Sequence, residues 1–206
     1  LGIERLERYA RAFGFGDTLG IDLYGEKKGL YPNPEWKKTA EPDNPIWRVG
    51  DTYNVSIGQG GVKVTPLQIA SMTSAIANGG TLWRPYILKS AKSSDGQVAR
   101  EQKPTAIRDH LIPEENLREV KKGMRQGVVS GTVTRLADLA YPVAAKTGTA
   151  QIGGKGAPHA WVTAFAPVDD PRVQITVMIE NAGSGVTSVV PIAHDILEWY
   201  FANRME

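Results

Sequence analysis

The spacing of apolar residues predicts amphipathic helices at both ends of the chain. The first stretch, "LGIERLERYARAFGFG", should end at Gly14, because glycine readily closes a helix C-terminus. A last helix is expected over about residues 188–201. The apolar positions that define one face of these two helices are Ile3, Leu6, Ala10 and Phe13 in the first and Ile192, Ile196 and Trp199 in the last.

Two further helices are predicted in the interior of the chain. In "TPLQIASMTSAIANGG", Thr65 should be the N-cap, with Gln68 closing a capping box, Pro66 as the first helical residue and Gly79 after the last. In "IPEENLREVKKGM", acidic residues fill the first turn and Lys121 begins a basic last turn, which suits the helix dipole. A short helix is expected to follow over residues 132–136.

Strands are predicted mainly in the last third of the chain. The runs "YPVAAKTGTAQI", "HAWVTAFAPV" and "RVQITVMIEN" are three successive strand candidates, the last two joined by an Asp-Asp-Pro turn. An earlier run, "TLWRPYILKSA", predicts an edge strand broken at Pro85, and residues 93–103 are expected to form a polar turn region. Antiparallel strands closed by helices predict an α+β fold.

Residues 16–61 are rich in Gly, Pro, Asn and Asp and predict a long irregular excursion. One short helix is expected within it, over residues 34–38. The tryptophans at positions 36 and 47 favour a packed excursion over a disordered one.

Composition excludes several kinds of site. The chain has 206 residues and a formal net charge of +2, which gives no electrostatic support for nucleic-acid binding. There is no cysteine, so thiolate chemistry and disulfides are excluded. The three histidines, at positions 110, 159 and 194, have no metal-ligand spacing, and we expect neither a metal nor a cofactor.

Two familiar catalytic motifs can be considered and set aside. The glycine-rich "GTAQIGGKG" is one residue too long for a phosphate loop and has no hydroxyl after Lys155, which favours a flexible hairpin connection. Ser184 and His194 lack the Gly-x-Ser-x-Gly context of a hydrolase nucleophile. His194 is therefore expected to be an ordinary helix residue, and His159 an ordinary residue at the start of a strand.

The strongest chemical candidate is Lys146, in the middle of "AAKTGTAQ". A lysine in a strand expected to be buried is costly unless an anionic group meets its ammonium. On a strand, Lys146 and Gly148 should share one face and Thr147 and Thr149 the other. A glycine leaves the strand surface bare, so a peptide ending in a carboxylate could lie along it as an extra strand. A lysine extending from an edge strand into solvent is the alternative.

At this point the sequence resembles a known family. "KTGTAQ" is similar to the Lys-Thr-Gly signature of penicillin-binding proteins and serine β-lactamases. The longer runs "GDTYNVSIGQGGVKVTPLQIASMTSAIANGG" and "YARAFGFGDTLGIDLYGE" resemble the transpeptidase domain of class B penicillin-binding proteins, of the elongation type called penicillin-binding protein 2. The resemblance covers essentially the whole chain and implies the serine β-lactamase/transpeptidase fold, with residues 146–150 at the edge of an active-site cleft.

The resemblance implies a D,D-transpeptidase that cross-links peptidoglycan stem peptides through an acyl-serine and is acylated by β-lactam antibiotics. Lys146 would bind the terminal carboxylate of the substrate and shape proton transfer. Thr147 and Thr149 would offer hydroxyls to that carboxylate beside Gly148. The backbone N–H of Thr149 would be one of two oxyanion-hole donors.

The chain departs from the family pattern in one large respect. It contains neither Ser-x-x-Lys, which holds the nucleophile, nor Ser-x-Asn. We therefore expect residues 1–206 to be the C-terminal portion of one transpeptidase domain, inactive without the missing N-terminal part. The family further implies membrane proteins of the elongation machinery as partners and a place on the outer face of the cytoplasmic membrane, through an anchor absent from this sequence. A β-lactamase or β-lactam sensor, or a non-catalytic module that binds a peptide carboxylate, are the alternatives.

Overall fold

The computed structural model describes residues 1–153 and 156–204. The chain divides into two compact units, each with its own apolar interior. The first unit comprises Leu1–Ser71 and Thr81–Leu111, and the second comprises Met72–Gly80 and Ile112–Glu206.

The first unit contains three helices of its own, the start of a fourth, and four short strands. The helices are α1 (Ile3–Ala12), α2 (Pro34–Ala40), α3 (Val49–Ser56) and α4 (Pro66–Ala77). The strands are β1 (Leu82–Trp83), β2 (Ser90–Lys92), β3 (Val98–Glu101) and β4 (Ala106–Arg108), paired antiparallel as β1 with β4 and β2 with β3.

Helix α1 packs on the interior of this unit and ends where the sequence predicted. Ala10 is buried with Tyr31 and Val55, and Ile3 and Leu6 pack against this group. Gly14 follows the helix with φ +91°, and a Cβ there would lie 2.6 Å from Leu19 Cδ2. Only glycine meets both demands, so the predicted stop is confirmed.

Two parts of this unit differ from the sequence-based expectation. The predicted short helix at position 34 is present, but α3 within the excursion was not expected. The strand predicted across Pro85 is two strands, β1 and β2, that pair with different partners. The region 93–103, predicted as a turn, contains β3, whose residues are all exposed and therefore lack the alternating pattern that marks a half-buried strand.

The capping box of α4 is present as predicted. Thr65 Oγ1 accepts the Gln68 N–H at 3.2 Å, and Gln68 Oε1 accepts the Thr65 N–H at 2.9 Å. The Gln68 side chain does more than cap, because its Nε2 lies within 3.0 Å of three backbone carbonyl oxygens. These carbonyls belong to Gly14, Asp17 and Lys28.

Replacing Thr65 with alanine should destabilise the protein by about 1 kcal/mol, because the substitution removes the acceptor for an otherwise unpaired helix N–H. Chemical denaturation measures this loss. Thr65→Ser keeps the oxygen and is the matched control. An equal loss in the two variants would contradict the assigned capping role.

The second unit is built on a three-stranded antiparallel sheet. Its strands are β5 (Ala144–Ala150), β6 (His159–Ala166) and β7 (Val173–Ile179), in that spatial order. Besides the end of α4, the helices are α5 (Glu114–Val129), the short α6 (Gly185–Ser188) and α7 (Val190–Arg204), with a 3₁₀ turn at Thr134–Leu136. The three predicted strands and their antiparallel order are confirmed.

Helix α7 packs on the sheet through a different face from the one that its bulky residues suggested. Val190, Ala193, Leu197 and Phe201 are buried. Ile192, Ile196 and Trp199 do share a face, as predicted, but that face is exposed. The residues that pack with α7 in this interior include Val143, Ala145, Ala160, Val162 and Ala164.

Helix α5 extends further than predicted, to Val129, so Lys121 lies in its middle and not in a basic last turn. Lys121 Nζ donates to the Ala77 carbonyl at 2.6 Å, at the end of α4. Desolvation by burial lowers the pKa of Lys121. Among the described residues, none of the helices combines the length and the hydropathy that a membrane-spanning helix requires.

Candidate active-site strand

Strand β5 carries the four residues that the sequence singled out, and it begins buried and ends exposed. Ala144 and Ala145 are fully buried, whereas Lys146, Gly148 and Thr149 are exposed. The expectation of a lysine inside a buried strand is therefore wrong, because burial stops at Ala145. The alternative of a lysine extending into solvent describes its position.

The ammonium of Lys146 has a neutral partner. Its Nζ donates to the carbonyl oxygen of Thr147 at 2.6 Å. No carboxylate of the described residues pairs with this ammonium. Since a neutral carbonyl balances no charge, the side chain can bind an anion that approaches β5.

Strand β5 lies at one edge of the sheet. It pairs with β6 on one side, with Lys146 opposite Thr163 and Gly148 opposite Trp161. On its other side the Thr147 carbonyl faces the Lys146 ammonium. Because backbone groups alternate along a strand, those of Thr147 and Thr149 both point away from β6. In the described part of the chain, no further strand joins the sheet on this side.

Helix α5 covers the first part of that edge, as far as Ala145, and does not cover the edge from Thr147 onwards. A Cβ on Gly127 of α5 would lie 3.0 Å from the Ala145 carbonyl oxygen. In addition, Arg125 Nη1 donates to the Val143 carbonyl at 2.9 Å. The start of β5 is thus fixed to a helix just before Lys146.

The two faces of β5 after Lys146 differ, as the alternation predicted. A Cβ on Gly148 would lie 3.4 Å from Trp161 Cβ. Because glycine has no side chain, the backbone on this face stays accessible beside the half-buried Trp161. On the other face, the Thr147 hydroxyl lies 2.9 Å from the Thr132 hydroxyl. This contact fixes the orientation of the Thr147 side chain.

Gly185, at the start of α6, also packs against β5. A Cβ at this position would lie 3.0 Å from the Gly148 carbonyl oxygen and 3.1 Å from the Trp161 carbonyl oxygen. Sequence reasoning missed both Gly185 and Thr132 as neighbours of the site. The only sequence signal is the "GSG" at residues 183–185, in which a second glycine follows Ser184.

The histidine and serine candidates do not come together. His194 lies in α7, with Nε2 3.2 Å from Asp138 Oδ1 and Nδ1 3.2 Å from Asp195 Oδ1, so neither nitrogen faces Ser184. His159 Nδ1 accepts the Asn181 N–H at 3.1 Å. Both histidines have the ordinary structural roles that were expected. Of the glycine-rich connection after β5, Gly154 and Lys155 lie outside the described residues.

Comparison with known proteins agrees with the resemblance of the motifs. Residues 1–198 match the family described as the penicillin binding protein transpeptidase domain. The peptidoglycan D,D-transpeptidase MrdA of Haemophilus influenzae is 35% identical over 100% of this chain and 34% of its own length.

Solved structures give the same picture. The chain is similar to penicillin-binding protein 2 of Pseudomonas aeruginosa in complex with WCK 5153, with a TM-score of 0.81, 34% identity, and coverage of 99% of this chain and 43% of that one. It is also similar to penicillin-binding protein 2 of Helicobacter pylori in complex with MreC, with a TM-score of 0.82, 30% identity, and coverage of 98% and 36%.

The chain spans about a third of the length of the curated relatives that it matches. The expected serine β-lactamase/transpeptidase fold and the resemblance to class B, elongation-type penicillin-binding protein 2 are both confirmed. Since the family match runs through nearly all of its residues, this chain belongs to the penicillin-binding protein transpeptidase domain family.

Proposed function

We propose that this chain is the part of a peptidoglycan D,D-transpeptidase that holds the carboxylate end of a stem peptide. The observation that carries the proposal is the outer edge of β5, where the Lys146 ammonium donates to a neutral carbonyl and has no carboxylate partner within the described parts of the chain, beside the exposed Gly148. A peptide that lies along this edge would place its terminal carboxylate near Lys146. The ammonium would then exchange the Thr147 carbonyl for a charged acceptor.

Each residue of the motif has a part in this proposal. Lys146 binds the carboxylate by a charge-assisted hydrogen bond, which is stronger than a neutral one. Gly148 lets the peptide backbone approach, and the hydroxyls of Thr147 and Thr149 complete the carboxylate site. The Thr149 backbone N–H, on the edge away from β6, is a donor to the oxyanion of the tetrahedral intermediate.

The nucleophile is supplied from outside these 206 residues, because no Ser-x-x-Lys occurs in the sequence. Its oxygen attacks the D-Ala–D-Ala carbonyl, and D-alanine leaves with a proton. The acyl group then passes from the serine to an amine of a second stem peptide, which releases the serine hydroxyl. A β-lactam enters the same first step but stays attached.

The proposal extends to the setting of the whole protein. The Helicobacter pylori relative is described in complex with MreC, which supports partners from the elongation machinery. A membrane anchor outside this chain would hold the enzyme on the outer face of the cytoplasmic membrane, where peptidoglycan stem peptides are cross-linked.

Labelling with a fluorescent penicillin tests this function. We expect no covalent label on the 206-residue chain alone, and labelling once the segment bearing the Ser-x-x-Lys motif is restored. Serine acylation within this chain would contradict the assignment of the nucleophile. Failure of the complete protein to label would contradict the proposed transpeptidase.

A further inference from the structure

The first unit contains a cavity that the proposed chemistry of β5 does not use. Its volume is about 250 Å³, and it is formed by α2, α3 and the glycines at positions 60 and 61. The polar and aromatic side chains that line it are Trp36, Lys37, Glu41, Trp47, Asp51 and Asn54.

Lys37 is the unusual member of this lining, because its side chain is only 3% exposed. Its Nζ donates to Asp51 Oδ2 at 2.6 Å. Asp51 Oδ2 also accepts the Arg48 N–H at 2.7 Å. The hydrogen bond from Lys37, helped by that from Arg48, holds the pKa of Asp51 below its ordinary value. Asp51 is thus ionised and forms an ion pair with Lys37.

Glu41 is bound less closely. Its Oε2 lies 3.6 Å from Lys37 Nζ, beyond hydrogen-bond distance, and its side chain is 46% exposed. An ammonium has three N–H donors, and Asp51 takes one of those of Lys37. One cavity therefore holds an ammonium with remaining donors and a carboxylate with remaining acceptors, beside two tryptophan side chains.

We propose that this cavity binds a zwitterionic α-amino acid group. The ligand carboxylate accepts from Lys37, the ligand ammonium donates to Glu41, and the aliphatic side chain packs on Trp36 and Trp47. Lys37, Asp51 and Glu41 together carry a net negative charge, so a simple anion is repelled, whereas a simple cation brings no acceptor for the remaining Lys37 donors. A zwitterion satisfies both signs at once. This site is independent of the carboxylate site proposed on β5.

Three probes that share one aliphatic chain and differ in their charged groups test the proposal. Norleucine carries both charges, hexanoate lacks the ammonium, and pentylamine lacks the carboxylate. We expect norleucine to shift the indole N–H signals of Trp36 and Trp47 saturably in NMR spectra of the protein. The other two probes should bind at least about tenfold more weakly. Hexanoate offers no ammonium to Glu41, and pentylamine offers no carboxylate to Lys37.

A variant of the half-exposed carboxylate gives the second arm. Glu41→Gln should weaken norleucine binding at least about fivefold, because a neutral amide is a poorer acceptor for an ammonium, and should not weaken hexanoate binding. Glu35→Gln is the matched control, since this exposed residue of α2 pairs with Lys38 and does not line the cavity. Its norleucine affinity should be unchanged.

Several outcomes would overturn the proposal. They are the absence of a saturable shift with norleucine, equal affinity for norleucine and either single-charge probe, and unchanged norleucine affinity in Glu41→Gln. None of these results depends on acylation, so the proposed transpeptidase function would stand or fall separately.

Discussion

Replacing Lys146 with alanine in the complete protein should slow acylation by a fluorescent penicillin at least about tenfold, which corresponds to about 1.4 kcal/mol of activation free energy. The expected loss follows from the position of the ammonium on the outer edge of β5, where its one hydrogen-bond partner among the described residues is the Thr147 carbonyl. A penicillin carboxylate that approaches this edge would find no other cation on the strand, since Lys146 is the only basic residue of β5.

Stopped-flow or gel-based labelling under single-turnover conditions measures this effect directly. Lys122→Ala is a suitable control, because this exposed lysine of α5 pairs with Glu119 and should leave the acylation rate unchanged. Acylation by Lys146→Ala at the wild-type rate would contradict the role assigned to the lysine.

The second large effect is expected on stability. Gln68→Glu should lower the free energy of unfolding by about 3 kcal/mol at neutral pH, because it replaces a donor with a carboxylate oxygen that faces three carbonyl oxygens. Gln68 is 1% exposed, so water cannot take over the lost contacts. The neighbouring backbone is also tight, since a Cβ on Gly29 would lie 3.0 Å from Gln68 Oε1.

The pH dependence of this variant gives a more specific test. Burial among carbonyls should raise the folded-state pKa of the introduced glutamate above its unfolded value. The destabilisation is then largest above the folded pKa and shrinks as the pH falls through it, because a protonated carboxyl can donate again. Gln126→Glu, at an exposed position of α5, should change stability by less than about 0.5 kcal/mol. A pH-independent loss in Gln68→Glu would indicate a packing defect and contradict the hydrogen-bond explanation.

Gln68 also illustrates what a sequence can and cannot predict. The capping box with Thr65 is local, three residues apart, and the pattern alone predicted it. The contacts of Nε2 with carbonyls 40 to 54 residues away depend on how the irregular excursion folds back, and no local pattern encodes them. The same limit explains why α3 was missed, since its eight residues carry no clear apolar stripe.

The strand that carries the candidate site was predicted correctly in its place and its alternation, but it is shorter than the predicted run, and its burial was not foreseen. "AAKTGTAQ" mixes small and polar residues, which fits both a buried and an edge strand. Only the assembled sheet shows that β5 pairs on one side, and that α5 contacts it just before Lys146. Thr132 and Gly185 are distant from the motif in sequence and approach it only in the folded chain, so no local sequence pattern could identify them as its neighbours.

Helix α7 shows how residue size can mislead. Its largest apolar side chains suggested which face packs on the sheet. The face that packs instead carries Ala193 and Leu197, whereas Ile196 and Trp199 are exposed. Helical periodicity correctly grouped each set of residues. It could not say which of two apolar faces packs on the sheet, because that choice depends on the shape of the partner surface.

The central claim is that Lys146 recognises a carboxylate on the substrate, and a two-by-two comparison of acylation rates tests it most directly. The complete protein and its Lys146→Ala variant are each acylated by a penicillin and by the methyl ester of the same penicillin. We predict that esterification slows acylation of the wild-type protein at least about tenfold. It should have little further effect on acylation of the variant, because the ester and the substitution remove the same interaction. If the two changes instead multiply, so that the variant loses as much on esterification as the wild type does, the carboxylate is recognised elsewhere and the account of β5 is wrong.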